Sequence, residues 1–512
     1  MALTFPSGIS LYERKNKLNT KPEIASVPQF LKYRIRDGFR QLVYIGDFVR
    51  INSPIMSDEN GFECYSTVSG IVADITDEYI IIENDEKYTS VFLFDKIERS
   101  AKEITYEKLL EYIKLSGIIG AFSGKPLYEK LQRSYEKVKR LIINCVESDP
   151  CSGNVRLFAS ENPEDIIFGA KLVMIAMGIP KAVIAFCEKD VKIAEAFDKI
   201  LAKNDMIVSA FVSDKYPQGV DRLLVTSIYN LEVPLSRTTE DCGYLVISAE
   251  TLYNIYNCLK DRSTVINKTF SFTGEGIKKT LNITARIGTP LDAIMDEFGI
   301  NKAVTLISGG VLSGRPECPE CIEADTNIIT ATSGNKSVQS DCIHCARCIS
   351  VCPMYLPVYR FIENFESHRH DLNEDIGLYN CIECGCCSYV CPSNIDLLGL
   401  IRADKAEEVF NDIKTEVFES EIETEEIQNG STIEEEPLPD IDDTDKNDGE
   451  NNFSGNGFQE ETPPDDLISI TDISSISEAK KRASNLDDDL SEALGDILSD
   501  NDSEKESTHD GE

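Results

Sequence analysis

The sequence predicts a multidomain protein of mixed α/β and α+β class, and three observations carry that reading. Apolar residues alternate in short runs over the first hundred positions. The period then lengthens into strand–helix alternation, and farther on nine of the seventeen cysteines crowd between residues 342 and 391, eight of them in two copies of one pattern. At 512 residues the chain is long enough for three or four domains, each with its own core.

Residues 1–104 are expected to be β-rich. Gln41 to Ile45, Thr67 to Ile75 and Tyr79 to Glu83 alternate or are β-branched, and Gly46-Asp47, Gly70 and Asp77-Glu78 punctuate them. Gly46-Asp47-Phe48-Val49 and Val68-Ser69-Gly70-Ile71-Val72 resemble the two halves of a biotinyl/lipoyl-type barrel-sandwich domain. The stretch between them, Met56 to Tyr65, contains no lysine. A swinging-arm cofactor is therefore not expected, and the domain is read as structural or for docking.

Residues 105–240 read as an α/β domain. Leu141-Ile142-Ile143 is a short buried strand. Asn162-Pro163-Glu164-Asp165 supplies an N-cap, a proline at the first helical position and acids in the first turn of an apolar helix that ends at Gly178. Lys181 to Phe186 is the next strand, Val191 to Lys203 a helix and Met206 to Val212 a third strand. Such alternation predicts a parallel, Rossmann-like sheet whose ligands sit at the carboxyl ends of the strands. Asn144, Glu147 and Asp149 follow the end of the first.

Residues 241–314 mix a helix near Glu250 to Lys260, strands at Phe270 to Phe272 and Leu281 to Arg286, and a helix from Leu291 to Phe298, which makes a small α+β module. Residues 315–339 are expected to be a linker. They hold a lone C-x2-C, Cys318 and Cys321, which one pair alone cannot turn into a saturated metal site, so a spectator role is favoured over a redox or zinc pair.

Residues 340–410 contain two copies of C-x2-C-x2-C-x3-C-P: Cys342, Cys345, Cys348, Cys352 with Pro353, and Cys381, Cys384, Cys387, Cys391 with Pro392. This is the ligand run of a two-cluster ferredoxin, in which three thiolates come from one loop and the fourth from the other run. One 4Fe-4S cluster is thus assigned to Cys342, Cys345, Cys348 and Cys391, the second to Cys381, Cys384, Cys387 and Cys352. Zinc would use two pairs per ion and leave each third cysteine without a tetrahedral role. The doubled run implies electron transfer. Cys386, beside Cys387, breaks no register and reads as a bystander.

The net charge is −38, and residues 416–512 hold 32 acidic and 5 basic side chains, a net of −27, which leaves −11 for the rest. With three aromatics, Phe418, Phe453 and Phe458, that region cannot bury enough apolar surface to offset ordering entropy, so 411–512 is expected to be a disordered acidic tail. Leu486, Leu490 and Leu494 at four-residue spacing could form a short docking helix or only a transient one. The acidity excludes nucleic acid as an expected partner. No stretch has eighteen uninterrupted apolar residues and no signal pattern opens the sequence, so a cytoplasmic protein with reduced thiols is expected. The four histidines, His344, His368, His370 and His509, read as surface or loop residues.

In this order the domains resemble the RnfC family, the peripheral C subunits of the Rnf ion-translocating electron-transport complex, over roughly residues 5 to 400. The most specific pieces are Cys342-Ile343-His344-Cys345-Ala346-Arg347-Cys348 with Val351-Cys352-Pro353-Met354, Cys381-Ile382-Glu383-Cys384-Gly385 with Val390-Cys391-Pro392, and Tyr216-Pro217-Gln218-Gly219. Arg286-Ile287-Gly288-Thr289-Pro290 and Ser308-Gly309-Gly310 support them. The resemblance implies a barrel-sandwich domain, a flavin/NADH-type domain akin to that of respiratory complex I, a soluble-ligand-binding β-grasp module and two 4Fe-4S clusters. It implies FMN and NADH at the second domain, membrane and flavoprotein subunits as partners, and a seat on the cytoplasmic face of the membrane.

The family's five-glycine loop, of the form GxxGxGGAGFP, corresponds here to Gly117-Ile118-Ile119-Gly120-Ala121-Phe122-Ser123-Gly124-Lys125-Pro126, one residue shorter with three glycines. Phe122 fills space that glycine leaves open, and Lys125 is the candidate phosphate contact. Asn144, Glu147 and Asp149 match the polar element that follows, the last as a shortened Glu, whereas a later family aspartate is Asn154. The N-terminal GGIHP signature is reduced to Ser7-Gly8-Ile9-Ser10. Three readings stay open: an RnfC-like electron-transfer subunit, a soluble adaptor for another reductase that has lost flavin and NADH, and a scaffold stapled by its clusters.

Overall fold

The structure is a computed structural model that describes residues 2–11, 21–95, 104–120, 123–202, 206–334 and 338–406. The expected tail helix around Leu486, Leu490 and Leu494, His509 and the obstructing Phe122 lie outside the described residues.

After β1 (Glu23–Ile24), the N-terminal region builds two facing sheets. β2 (Phe30–Arg34), β4 (Phe48–Val49), β7 (Gly70–Ile75) and β8 (Tyr79–Asn84) pair antiparallel in the order β2-β8-β7-β4, and β3 (Phe39–Gln41), β5 (Pro54–Asp58) and β6 (Glu63–Tyr65) form the other sheet. Alternate residues such as Leu31, Tyr33, Ile80 and Ile82 point inward and meet Val49, Ile55 and Val68 in one core. The strand expected over Gln41 to Ile45 is not formed beyond Gln41. Asp47 turns back to accept the Tyr44 N–H at 2.8 Å, and Tyr44 and Ile45 are exposed.

The next layer is the parallel sheet. α1 (Tyr106–Leu115) and α2 (Leu127–Ser134) precede β9 (Arg140–Asn144), then α3 (Asn154–Glu161), α4 (Pro163–Met177), β10 (Lys181–Cys187), α5 (Val191–Leu201), β11 (Ile207–Val212), α6 (Asp221–Tyr229), β12 (Tyr244–Ser248) and α7 (Ala249–Asp261) follow. The order β11-β10-β9-β12 is parallel throughout. Strand order therefore reverses between β9 and β12, the point at which doubly wound sheets open a crevice. β12 and α7 belong to this sheet although they lie past the expected boundary at residue 240. Asn162 does precede α4, with Pro163 at its first position and Gly178 left-handed at its end (φ 66°), but its side chain makes no capping bond. The proline has no N–H to be capped, and the Asn162 carbonyl accepts the Ile166 N–H at 3.2 Å.

β13 (Asn267–Thr273), β14 (Leu281–Arg286), α8 (Leu291–Glu297), β15 (Thr305–Ser308) and β16 (Ile328–Thr332) make a mixed sheet in the order β1-β14-β13-β16-β15. The supposed linker is thus structural. Its segment 328–332 is an inner strand, paired with both β13 and β15, and Ile329 and Ala331 are buried with Phe270 and Phe272.

The cysteine-rich region is helical. It comprises α9 (Arg347–Val351), α10 (Val358–Glu366), α11 (Asp371–Asp375), a 3₁₀ turn at Leu378–Asn380, α12 (Cys386–Val390) and helical residues 397–406. Here one histidine departs from expectation: His370 is largely buried and bonded to the Asp404 carboxylate, which also accepts from Asn373.

Candidate functional site

The two cysteine runs adopt one backbone conformation. His344 and Ala346 in the first, and Glu383 and Gly385 at the same offsets in the second, all have left-handed φ, between 52° and 73°. Alternating handedness curls each loop inward and starts the five-residue helices α9 and α12, which pack on each other.

Around these loops the predicted ligands gather in two groups. Cys342, Cys345, Cys348 and Cys391 line one cavity of about 380 Å³, with Tyr359 and Ile362. Cys352, Cys381, Cys384 and Cys387 line a smaller one of about 20 Å³, together with Cys386. Each cavity takes three cysteines from one run and the fourth from the other. The surroundings differ. Cys342 and Cys345 are exposed, whereas Cys352 and Cys387 are buried in the core of the unit. Burial pushes the Cys381 thiol up to about 11, so a metal must displace a proton to bind there.

This donor set fits an iron–sulfur group. Four thiols spread around a hollow suit a multi-atom cluster, whereas a single zinc at about 2.3 Å from each sulfur would draw them together. Among the described residues no three Cys, His, Asp or Glu side chains close on one ion. Amides help as well: Leu356 N–H points at Cys352 Sγ and His344 N–H at Cys342 Sγ, each at 3.4 Å.

The carboxyl end of the parallel sheet carries the other predicted residues. Asn144, at the tip of β9, is buried; its Nδ2 donates to the Gly219 carbonyl at 2.8 Å and its Oδ1 accepts from Val146 N at 2.9 Å. Gly219 lies so close that a Cβ there would stand 2.7 Å from the Glu147 carbonyl. The crevice at the strand-order reversal is thus filled by the chain's own 216–219 segment. Glu147 Oε1 accepts the Arg156 N–H at 3.0 Å, and burial lifts the carboxyl to about 7. Asp149 is buried against Gly310 and accepts from Cys151 N at 2.9 Å. Asn154 bonds the Asn327 carbonyl at 2.6 Å and Ser271 Oγ at 3.0 Å, joining α3 to the mixed sheet.

The described glycine-loop amides bond within the chain. Gly117 N–H donates to Lys114 O, Gly120 N–H to Lys125 O and Gly124 N–H to Gly120 O, at 2.9 to 3.1 Å, and Lys125 N–H faces Ser123 Oγ. A Cβ at Gly124 would lie 2.6 Å from the Asp325 carboxylate, a poor neighbour for phosphate. Lys125 is exposed. Among the described residues of the loop, none of these four amides is left for an anion in this conformation.

How the α/β domain meets the cysteine unit has no signal in the sequence. Tyr216, buried, donates its hydroxyl to the Cys384 carbonyl at 2.5 Å. Ile9 pairs with Tyr216, Gly8 N–H bonds Val351 O at 3.1 Å and Ser7 Oγ bonds Cys352 O at 3.1 Å. Arg402 clasps the carbonyls of Ser313 and Gly314 at 2.7 and 2.8 Å and Glu383 at 2.8 Å. All these contacts reach the second cysteine group or its neighbours.

Comparison with known proteins adds two domain matches. Residues 113–257 match the Nuo51 FMN-binding domain, and residues 338–395 match the 4Fe-4S dicluster domain. The chain is 29% identical over 401 residues to the C subunit of the ion-translocating oxidoreductase complex of Vibrio cholerae, an alignment that covers 73% of this chain and 52% of that protein. It is 28% identical to the C subunit of the proton-translocating ferredoxin:NAD(+) oxidoreductase complex of Clostridium ljungdahlii, covering 70% and 83%. It is 26% identical to the Na(+)-translocating counterpart of Acetobacterium woodii, covering 72% and 88%. The chain thus spans about half the length of the Vibrio relative.

Proposed function

We propose that this chain, a relative of the RnfC subunits, is the electron-transfer subunit of an Rnf-type ion-translocating oxidoreductase. The observation that carries the reading is the sorting of eight cysteines into two cavities, three from one run and one from the other in each. Bound there, two 4Fe-4S clusters supply one-electron relays, with Cys342, Cys345, Cys348 and Cys391 holding one and Cys381, Cys384, Cys387 and Cys352 the other. The protein's share is to bury one site, expose an edge of the other and aim amides at the sulfurs.

The arrangement supports a direction as well. The second group adjoins Tyr216 and the α/β domain, and the first opens to solvent, within reach of an external redox partner. We read the N-terminal sheet pair as the barrel-sandwich domain, the mixed sheet as the β-grasp module and the partners as the membrane and flavoprotein subunits of such a complex, on its cytoplasmic face. Among the described residues no helix is long and apolar enough to cross a membrane.

The test is anaerobic purification with iron, sulfide and flavin analysis. About eight irons and eight sulfides per chain are expected. Zinc in place of iron would end this reading. Flavin content then separates an NADH-side subunit from an adaptor: bound flavin and bleaching of the clusters by NADH mark the first.

A further inference from the structure

We propose that the Tyr216 hydroxyl, on the α/β domain, tunes the second cluster site: by holding the Cys384 carbonyl outward it turns the next amide, Gly385 N–H, toward the cluster and raises its potential. The proposal rests on reading Cys352, Cys381, Cys384 and Cys387 as the ligands of that site. Tyr216 is buried and donates its hydroxyl to Cys384 O at 2.5 Å. Its backbone is fixed in turn by Ile9, whose N–H bonds Tyr216 O at 3.0 Å and whose carbonyl accepts Tyr216 N–H at 2.8 Å.

Cys384 and Gly385 line the small cavity and Tyr216 does not, so the carbonyl that Tyr216 holds is turned out of the lining. The Cys384–Gly385 peptide is trans. In a planar trans unit the N–H points opposite to the C=O, which leaves Gly385 N–H facing the cavity. Among the described residues no backbone acceptor takes it. Gly385 also approaches Leu312 so closely that a Cβ would stand 2.0 Å from the Leu312 carbonyl, which hinders rotation of the unit. The first run lacks this hold. Cys345, at the place of Cys384, is exposed, and among the described residues no side chain bonds its carbonyl.

An amide aimed at the sulfurs offsets part of the cluster's negative charge. Reduction adds an electron, so the amide stabilises the reduced form more than the oxidised one and raises the potential. Tyr216 is a positioning residue in this sense, since it acts through the peptide of a ligand. It makes two clusters with equal ligand sets unequal, raising the one beside the α/β domain. The same site holds a built-in comparison. Ser7 Oγ bonds Cys352 O at 3.1 Å, a second hydroxyl on the carbonyl of a ligand residue. The residue after Cys352 is Pro353, which has no N–H, so this bond orients no amide.

The test is an EPR-monitored redox titration of the anaerobically reconstituted full chain, with iron and sulfide analysis, for the unmodified protein, Tyr216→Phe and Ser7→Ala. Tyr216→Phe keeps the ring and removes only the hydroxyl. It is expected to retain the unmodified iron content, to lower the potential of one cluster and to leave the other in place, while Ser7→Ala leaves both potentials where they were. Unchanged potentials in Tyr216→Phe would overturn the proposal. An equal downward shift in Ser7→Ala would overturn it as well, because loosening of the site and not an aimed amide would then set the potential. So would loss of iron from Tyr216→Phe, which would make the hydroxyl a structural tie. Absence of iron from the unmodified protein would instead sink the cluster reading and this proposal with it.

Discussion

Cys391 closes the second cysteine run yet lines the cavity of the first. Cys391→Ala should therefore remove the cluster of Cys342, Cys345 and Cys348 and about half the iron, leaving the second cluster reducible; EPR of each cluster checks this, and selective loss of the second one would contradict the crossing. Glu147 gives a prediction of another kind. Its residue keeps some exposed surface while its carboxyl lies inside, and burial raises that carboxyl from the ordinary 4.5 to about 7. The unfolded chain loses this proton before the folded one does, so stability falls as pH rises from 4.5 through 7 and levels off above. Glu147→Gln should flatten that stretch in thermal unfolding measured from pH 5 to 8; an unchanged slope would mean that the carboxyl is solvated. Most of the site was legible at this scale, because thiolate spacing is dictated by cluster geometry and survives any change in the surrounding sequence. The place of Cys386, buried in the lining of the second cavity, was not legible, since nothing in its spacing signals burial. The glycine loop was legible as a departure, but the bond from Gly120 N–H to Lys125 O depends on where the loop closes, which composition does not encode.

The helices and strands of the α/β domain were readable for a physical reason. A strand covered on both faces, such as β10, is a continuous apolar run, and α4 brings its own start and stop residues. β16 was missed because it follows a proline, an acidic stretch and two cysteines that together resemble a connector; its own Ile-Ile-Thr-Ala-Thr was the available signal. β1, two residues long, gave none. Packing of α4 on α7 makes a sharper claim. At Gly169 a Cβ would stand 2.1 Å from the Leu252 carbonyl on α7, so any side chain forces the two helices apart. Gly169→Ala should cost about 1–3 kcal/mol, read as a lower midpoint in denaturant. A midpoint within error of the unmodified protein would show that the helices can slide.

Over the whole molecule, stability is shared unequally. The parallel sheet has a large core of its own, while the cysteine unit has described helices of five to ten residues and a core that includes Cys352 and Cys387. Helices that short are not stable alone, so the clusters are part of what folds this unit. Stripping iron with a chelator should speed amide hydrogen exchange across 338–406 by orders of magnitude and leave β9 and β10 protected. Equal loss of protection in both would mean that the units unfold as one. One contact reaches farther than these. Ser7 is bonded to Cys352, 345 residues later in the chain. On a ribosome adding about 5–20 residues each second, those early residues stay without that mate for roughly twenty to seventy seconds. The seam is sewn last, after the cysteines have emerged, which ties the final step of assembly to the cell's delivery of iron.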